Sequence, residues 1–230
     1  MKQNLKNFKL GTIIRAALTL AIMLTFIFLP AGTLRWPEAW IFLSVYLSMI
    51  SGILIWLKKN SPDLLKERMS KKKQAKTWDK IIIRIYSLLL IFLLGIPGLD
   101  AVRYGWSEVP WIVKVLGFAG YIPALLLTFW VMKENAFSSN VVRIQNDRGH
   151  TVCTTGPYRF VRHPMYVGVI LICVFIPLSL GSLYALIPSA LIIILFILRT
   201  FQEDRTLHEE LPGYKEYAQR VLYRLLPGVW

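Results

Sequence analysis

The residues best suited to chemistry in this 230-residue chain lie at positions 156–168, where the sequence is GPYRFVRHPMYVG. Arg159, Arg162 and His163 stand directly before a long apolar stretch, where unpaired polar groups are costly. Pro164 suits the first turn of a helix, because it has no N–H to leave unbonded. We therefore expect a helix to begin at His163 or Pro164 and its N-terminal amides to receive a carboxylate or phosphate. The alternative is that both arginines only follow the positive-inside rule.

Two tyrosines, Tyr158 and Tyr166, add aromatic rings to the same segment. An aromatic face can stack on a purine or contact a sulfonium or ammonium group. Tyrosine is also common at the boundary between membrane and water, where it needs no ligand. Both interpretations stay open for Tyr166.

A second polar pair, Arg199 and Glu203, follows the last apolar run. The two residues are four apart, so on a continuing helix they share one face. Glu203 lies so close to the membrane that its carboxylate needs a cationic partner, either Arg199 or the amine of a ligand. A hairpin between the last two apolar runs would bring Arg162 and His163 opposite this pair.

The elements that position these residues are predicted from the apolar runs. The chain is 55% hydrophobic and 17% charged, which is typical of an all-α, polytopic integral membrane protein. About six transmembrane segments are predicted, at residues 11–29, 36–57, 81–99, 111–132, 165–180 and 182–198. The fifth is only about 24 Å long and contains Pro177. Because Gly181 and Ser182 leave almost no loop after it, the last two segments are predicted to form a tight, kinked helical hairpin.

The net charge of +14 predicts how the chain is oriented. Basic residues cluster at 2–15, 58–84, 133–162 and 199–224, whereas the other short loops hold only Arg35 and Arg103. Alternate loops are therefore basic, which predicts that both termini and a pocket at the mouth of the hairpin are cytosolic. The run KKKQAK at 71–76 is interpreted as an orientation signal that attracts anionic membrane lipids, and nucleic acid is not an expected partner.

The sequence lacks the motifs of disulfides, metal sites and soluble nucleotide-binding folds. Cys153 falls in a predicted cytosolic loop and Cys173 in an apolar segment, so neither a disulfide nor a cysteine metal site is expected. The three histidines have no metal-ligand spacing, and no metal is predicted. Glycine-rich phosphate loops and an alternation of strands and helices are also missing.

The motifs resemble the isoprenylcysteine carboxyl methyltransferase family of integral membrane S-adenosylmethionine enzymes. The shared pattern runs from His150 to Gly156 and continues through Tyr158 and the RHPMYVG of residues 162–168. Beyond the hairpin it includes Arg199, Thr200 and Glu203, and it ends with Tyr214 and Tyr217. The resemblance covers residues 140–230. It implies two parts: residues 1–135 with four spans and a basic loop at 58–80, and residues 136–230 as the methyltransferase core.

The resemblance also implies roles for individual residues. S-adenosyl-L-methionine is the expected cofactor, Arg199 is expected to hold the carboxylate of the substrate, and Arg199 and Glu203 are the expected catalytic residues. The expected cofactor-binding residues are His150, Thr151, Val152, Cys153, Tyr158, Arg162, His163, Pro164, Met165, Tyr166 and Glu203. A sulfonium methyl group is already activated, so a carboxylate acceptor needs no strong base, and positioning and exclusion of water remain for the protein.

The expected acceptor is a prenylcysteine-like or other lipid-like molecule that enters from the bilayer between the hairpin and the fourth segment. Three alternatives stay open. Phospholipid N-methyltransferases and membrane sterol reductases have related C-terminal signatures, and the chain can also be a membrane protein without enzymatic activity. Transporters usually carry polar residues in several spans or an internal repeat, and neither is seen here.

Overall fold

A computed structural model describes residues 18–70 and 75–230, and the regular structure in these residues is helical. The predicted segment at 11–29 and the run at 71–76 therefore lie partly outside the described residues. The long helices carry the apolar runs. The helices are α1 Leu18–Ala31, α2 Pro37–Asn60, α3 Pro62–Met69, α4 Thr77–Pro97 with a π-helical continuation Gly98–Tyr104, α5 Trp111–Glu134, α6 Pro164–Leu180, α7 Leu186–Glu210 and α8 Tyr214–Arg220.

Four helices of the described residues are long and apolar enough to cross a membrane: α2, α4 with its continuation, α5 and α7. Large apolar side chains such as Ile55, Trp111 and Ile187 are exposed along them, as expected for helices that face lipid. The described part of α1 and the whole of α6 are shorter apolar helices. With 17 residues, α6 extends about 26 Å, less than the hydrocarbon core of roughly 30 Å. The structure thus supports a membrane bundle, and six spans stay a prediction.

The hairpin between α6 and α7 is present, with a slightly longer turn than predicted. Gly181 ends α6 in the left-handed region at φ +75°, which favours glycine, and the N–H of Ser182 donates to the carbonyl of Pro177. The next helix begins at Leu186 rather than at Ser182. The buried Asp100 anchors this turn, because its Oδ2 accepts hydrogen bonds from Ser182 Oγ at 2.6 Å and from the N–H of Tyr184.

Close packing joins α5 to α6. A Cβ atom added at Gly117 would lie 2.5 Å from the backbone nitrogen of Ser179, and one at Gly168 would lie 2.6 Å from Thr128 Cγ2. The two helices therefore touch near both of their ends. The structure shows no opening between α5 and α6 at these two levels, and the predicted entry of a lipid acceptor between the fourth segment and the hairpin stays a prediction.

The loops that follow α2, α5 and α7 meet at one end of the bundle. Arg68 donates to the carbonyl of Ser138, the N–H of Lys76 donates to the carbonyl of Val142, and the N–H of Arg162 donates to the carbonyl of Tyr223. We call this end of the bundle the basic end, because the clustered basic residues of 58–70, 133–162 and 199–224 lie there. The motif residues lie here, at the level where α6 begins and α7 ends.

Candidate active site

A pocket opens at the basic end between the loop that follows α5, the start of α6 and the end of α7. The space between its walls is about 770 Å³, including the part open to solvent. Its lining residues are Asn135, Phe137, Ser138, Ser139, Val141, Val142, Arg143, His150, Thr151, Val152, Cys153, Tyr158, Arg162, His163, Met165, Tyr166, Glu203, Leu207, Leu211, Tyr214 and Tyr217.

Most of the residues predicted to bind a cofactor lie on this pocket. Two of the expected site residues, Pro164 and Arg199, do not line the pocket. Pro164 is the first residue of α6, behind the wall. Arg199 lies one turn before Glu203 on α7, toward the apolar part of the helix, and its side chain is buried. The structure therefore brings the segment 150–153, the start of α6 and Glu203 together, and it leaves Arg199 next to the pocket.

The start of α6 has the predicted boundary, with His163 as the N-cap residue and Pro164 in the first turn. The amides of Tyr166 and Val167 both donate to the carbonyl of His163. These two donors are thus used within the chain, which leaves fewer amides for the predicted anion than a free helix start would offer.

A buried carboxylate, Asp204, connects the elements around the pocket. Its oxygens accept hydrogen bonds from Arg162 Nε at 2.9 Å and Nη2 at 3.1 Å, from Tyr214 Oη at 2.8 Å and from Arg224 Nε at 2.9 Å. His163 Nε2 lies 3.2 Å from Asp204 Oδ1. Asp204 is 2% exposed, and a buried charge of this kind is tolerated only where its partners compensate for lost hydration.

This arrangement changes the role expected for Arg162. Its Nη1 donates to the carbonyls of Val221 and Leu222, while Nε and Nη2 bind Asp204. The positive charge that the sequence interpretation offered to a bound anion is therefore offset by Asp204. The sequence gives only one signal for Asp204, an acidic residue just after an apolar run, and no role was predicted for it.

Tyr166 and Glu203 form the part of the wall nearest to α7. The Tyr166 hydroxyl donates to Glu203 Oε2, and the rings of His163 and Tyr166 are parallel with centroids 5.7 Å apart. An ion pair of Arg199 with Glu203, one of the two alternatives considered for this carboxylate, is not formed. Arg199 Nε instead binds Asp79 Oδ1 at 2.8 Å, and Glu203 has no cationic partner among residues 18–70 and 75–230.

The opposite wall consists of the loop after α5. The His150 ring lies 4.6 Å from the Phe137 ring centroid, and the N–H of Gln145 points to His150 Nδ1. Burial, together with the nearby charges of Arg143 and Arg148, lowers the pKa of His150 to about 4. The imidazole is therefore neutral at pH 7, and the positive charge on this side of the pocket is that of Arg143, which is paired with Glu67.

Tyr158 closes the pocket between these walls. Its hydroxyl accepts a hydrogen bond from Asn135 Nδ2 at 2.8 Å, and its carbonyl accepts one from Tyr217 Oη at 2.8 Å. Burial raises the pKa of the Tyr158 hydroxyl, so this group stays a neutral phenol. The pocket thus combines aromatic surfaces and neutral polar groups with one carboxylate, Glu203. The two arginines in its lining, Arg143 and Arg162, are paired with Glu67 and Asp204. Such a set can contact a cationic, partly aromatic ligand.

We expect Asp204→Asn to lower the stability of the protein strongly, because it leaves the buried Arg162 and the partly buried Arg224 without their counter-charge. Breaking a buried ion pair costs roughly 3–5 kcal/mol, so the thermal unfolding midpoint in detergent should fall clearly. Glu209→Gln is the matched control on the same helix, since its pair with Arg205 is exposed at the surface and contributes little. Equal midpoints for both variants would contradict the role assigned to Asp204.

His150 should make stability depend on pH. Its pKa falls from the ordinary value near 6.5 to about 4 in the folded protein, so between these values the unfolded chain binds the proton and the folded chain does not. Stability should therefore decrease as the pH falls from 7 toward 4. We expect the difference between unfolding midpoints measured at pH 7 and pH 5 to be smaller in His150→Gln. An unchanged difference would show that other groups cause the pH dependence.

One comparison with known proteins gives a match, and it covers the part of the chain that carries the pocket. Residues 115–209 match the sequence model of the isoprenylcysteine carboxyl methyltransferase (ICMT) family. The matched range includes most of α5, the loop after it, α6 and nearly all of α7, and therefore most of the pocket wall together with Arg199 and Glu203. A search of curated proteins gives no match. Over residues 115–209 the chain is therefore similar to the ICMT family, a family of membrane methyltransferases.

Proposed function

We propose that this protein transfers the methyl group of S-adenosyl-L-methionine to the carboxylate of a lipid-like, prenylcysteine-like acceptor. The observation that carries the proposal is the state of Glu203. Its carboxylate lies on the pocket wall next to Tyr166, and no cation of the described residues pairs with it. A carboxylate so near the membrane is costly without a cationic partner, and the ammonium or sulfonium of the cofactor would provide one.

The other pocket residues fit the same cofactor. Tyr158, Tyr166 and Phe137 offer aromatic surfaces for an adenine ring or a sulfonium. The neutral imidazole of His150 adds no charge that would repel a cation. Asn135 and Ser139 add amide and hydroxyl groups that can bind the polar parts of the nucleoside. The expected cofactor residues from 150 to 166 and Glu203 are therefore proposed to hold this molecule.

Arg199 is proposed to anchor the carboxylate of the acceptor. It lies one turn from Glu203 on the side of the bilayer, and its guanidinium covers the Tyr166 ring at 5.1 Å. Nε and Nη2 are bound to Asp79 and to the carbonyl of Asn140, and within the described part of the chain Nη1 has no hydrogen-bond partner. A lipid-borne carboxylate would reach Nη1 from the membrane side, while the cofactor would occupy the pocket at the basic end.

The chain contributes position and environment to the transfer. When bound, S-adenosylmethionine supplies an activated methyl group that a carboxylate oxygen can accept in one in-line displacement. Glu203 would fix the cationic part of the cofactor, and Arg199 would hold the acceptor oxygen and prevent it from rotating away. Tyr166 lies between the two residues and would keep water out of the space between them. Placement of this kind reduces the entropy lost in reaching the transition state.

The proposed acceptor would approach through an apolar groove between α2 and α5. The groove has a volume of about 1090 Å³ and includes Gly52, Ile53, Trp56 and Phe129. Ile53, Trp56 and Phe129 also pack in a cluster with Met165, which lines the pocket. Side chains of the groove therefore pack against a residue of the pocket wall, and we propose that the acceptor passes between them. We place the basic end in the cytosol, as the positive-inside rule requires.

The test is methyl transfer from S-adenosylmethionine carrying a tritiated methyl group. The purified protein is given N-acetyl-S-farnesylcysteine, which has a carboxylate, or phosphatidylethanolamine, which has an amine. We expect label in the carboxylate acceptor that base releases as methanol, because methyl esters hydrolyse in base and methylamines do not. Base-stable label on phosphatidylethanolamine alone would show an N-methyltransferase. Absence of label from both acceptors would contradict the proposal as stated.

Arg199→Ala should reduce transfer to N-acetyl-S-farnesylcysteine by about a hundredfold, since misplacement of the reacting atoms costs rates of this order. S-adenosylhomocysteine should still bind, because Arg199 does not line the pocket. Arg205→Ala is the matched control, because Arg205 lies on the same helix and its side chain is 68% exposed. Undiminished transfer by a folded Arg199→Ala variant would rule out the anchoring role.

A further inference from the structure

Asp79 is a fully buried carboxylate in the first turn of α4, with 0% of its surface exposed. It lies outside residues 115–209, which match the methyltransferase family. An acidic residue in the first turn of a helix is favoured by the helix dipole. The helix dipole favours an acidic residue at an exposed helix start as well, so it does not explain why Asp79 is completely buried.

The two oxygens of Asp79 connect two different walls of the candidate site. Oδ1 accepts a hydrogen bond from Arg199 Nε at 2.8 Å, and Oδ2 accepts one from the N–H of Val142 at 2.8 Å. Val142 lines the pocket in the loop after α5. Arg199 belongs to α7, so one carboxylate of the N-terminal half fixes the loop wall relative to the helix that carries Glu203.

The contacts of Arg199 also determine where its remaining donors point. A guanidinium is planar, with five N–H groups in fixed directions. Asp79 fixes Nε, and the carbonyl of Asn140 fixes Nη2 at 3.0 Å. The central carbon of the guanidinium also lies over the rings of Tyr166 and Phe196, 5.1 and 5.7 Å from their centroids. With the plane and two edges fixed, Nη1 has a single direction.

We propose that Asp79 is a positioning residue that holds Arg199 in the orientation needed to receive the carboxylate of the acceptor. The inference rests on the proposed function, because it assumes that Arg199 anchors this carboxylate. Asp79 does not line the pocket and touches neither proposed ligand directly. Its effect should therefore appear in the affinity for the acceptor, with the affinity for the cofactor preserved.

A purely structural role makes a different prediction. Buried ion pairs often add little net stability, because the lost hydration of both charges offsets their attraction. A residue that only stabilised the bundle would, when replaced, lower the unfolding midpoint and reduce the amount of active protein. It would leave the KM for the acceptor unchanged in the molecules that remain folded.

The experiment compares Asp79→Asn with Asp100→Asn. Asp100 is an equally buried carboxylate in the continuation of the same helix, at the opposite end, where it binds Ser107 and Ser182. For each variant, the KM for N-acetyl-S-farnesylcysteine, the Kd of S-adenosylhomocysteine and the unfolding midpoint are measured. We expect Asp79→Asn to raise the KM by about tenfold or more, the loss typical of a hydrogen bond to a charged group, with the Kd nearly unchanged. Asp100→Asn should lower the midpoint and leave the KM unchanged.

Equal KM values in Asp79→Asn and Asp100→Asn would overturn the inference, provided that the parent protein transfers methyl groups to this acceptor. If the parent does not, the proposed function fails first, so the two failures are distinguishable. A second measurement covers the case in which Asp79→Asn is poorly folded. In an Arg199→Lys background, whose KM is already raised, Asp79→Asn should add little to the KM, because both residues act through one guanidinium. Independent, additive effects would contradict the positioning role.

Discussion

The candidate site depends on one buried carboxylate, Asp204, which accepts hydrogen bonds from three parts of the chain. Arg162 and His163 come from the start of α6, Tyr214 from α8 and Arg224 from the C-terminal segment. A charge that is removed from water needs partners in fixed positions. The requirement determines how the motif before α6 is placed against the end of α7, and the pocket is the space that this placement leaves.

Positioning of the site also involves the N-terminal helices. Asp79 of α4 binds Arg199 and the backbone of Val142, and Glu67 of α3 binds Arg143 through two hydrogen bonds. This second pair raises the pKa of Arg143 and lowers that of Glu67, so both groups are charged at neutral pH. The family region at 115–209 therefore carries most of the pocket wall, while residues before it hold the wall in place. The division at residue 135 predicted from the sequence stays a prediction, and contacts cross it.

The sequence predicted the features that depend on local chemistry. Proline in the first turn indicated that α6 begins at Pro164, and the short glycine-containing turn indicated the hairpin. The motif placed residues 150–153, Tyr158 and Tyr166 together, as they are found on the pocket wall. The ion pairs were not predictable in this way, because Asp79 is separated from Arg199 by 120 residues and only the packing of α4 against α7 brings them together. The spacing of four residues favoured an ion pair of Arg199 with Glu203. In the structure the guanidinium of Arg199 binds the buried Asp79 instead.

The protein is a membrane helix bundle with a pocket at its basic end. The pocket has aromatic walls and one carboxylate, Glu203, which forms no ion pair with the described residues. The central claim is that this pocket binds S-adenosylmethionine. Isothermal titration of the detergent-solubilised protein with S-adenosylhomocysteine, repeated on Glu203→Gln, tests it most directly. The account predicts saturable binding of one molecule per chain, weakened by about tenfold in Glu203→Gln through loss of the charge-assisted contact with the ligand amine. Absence of binding to a folded parent protein would contradict it.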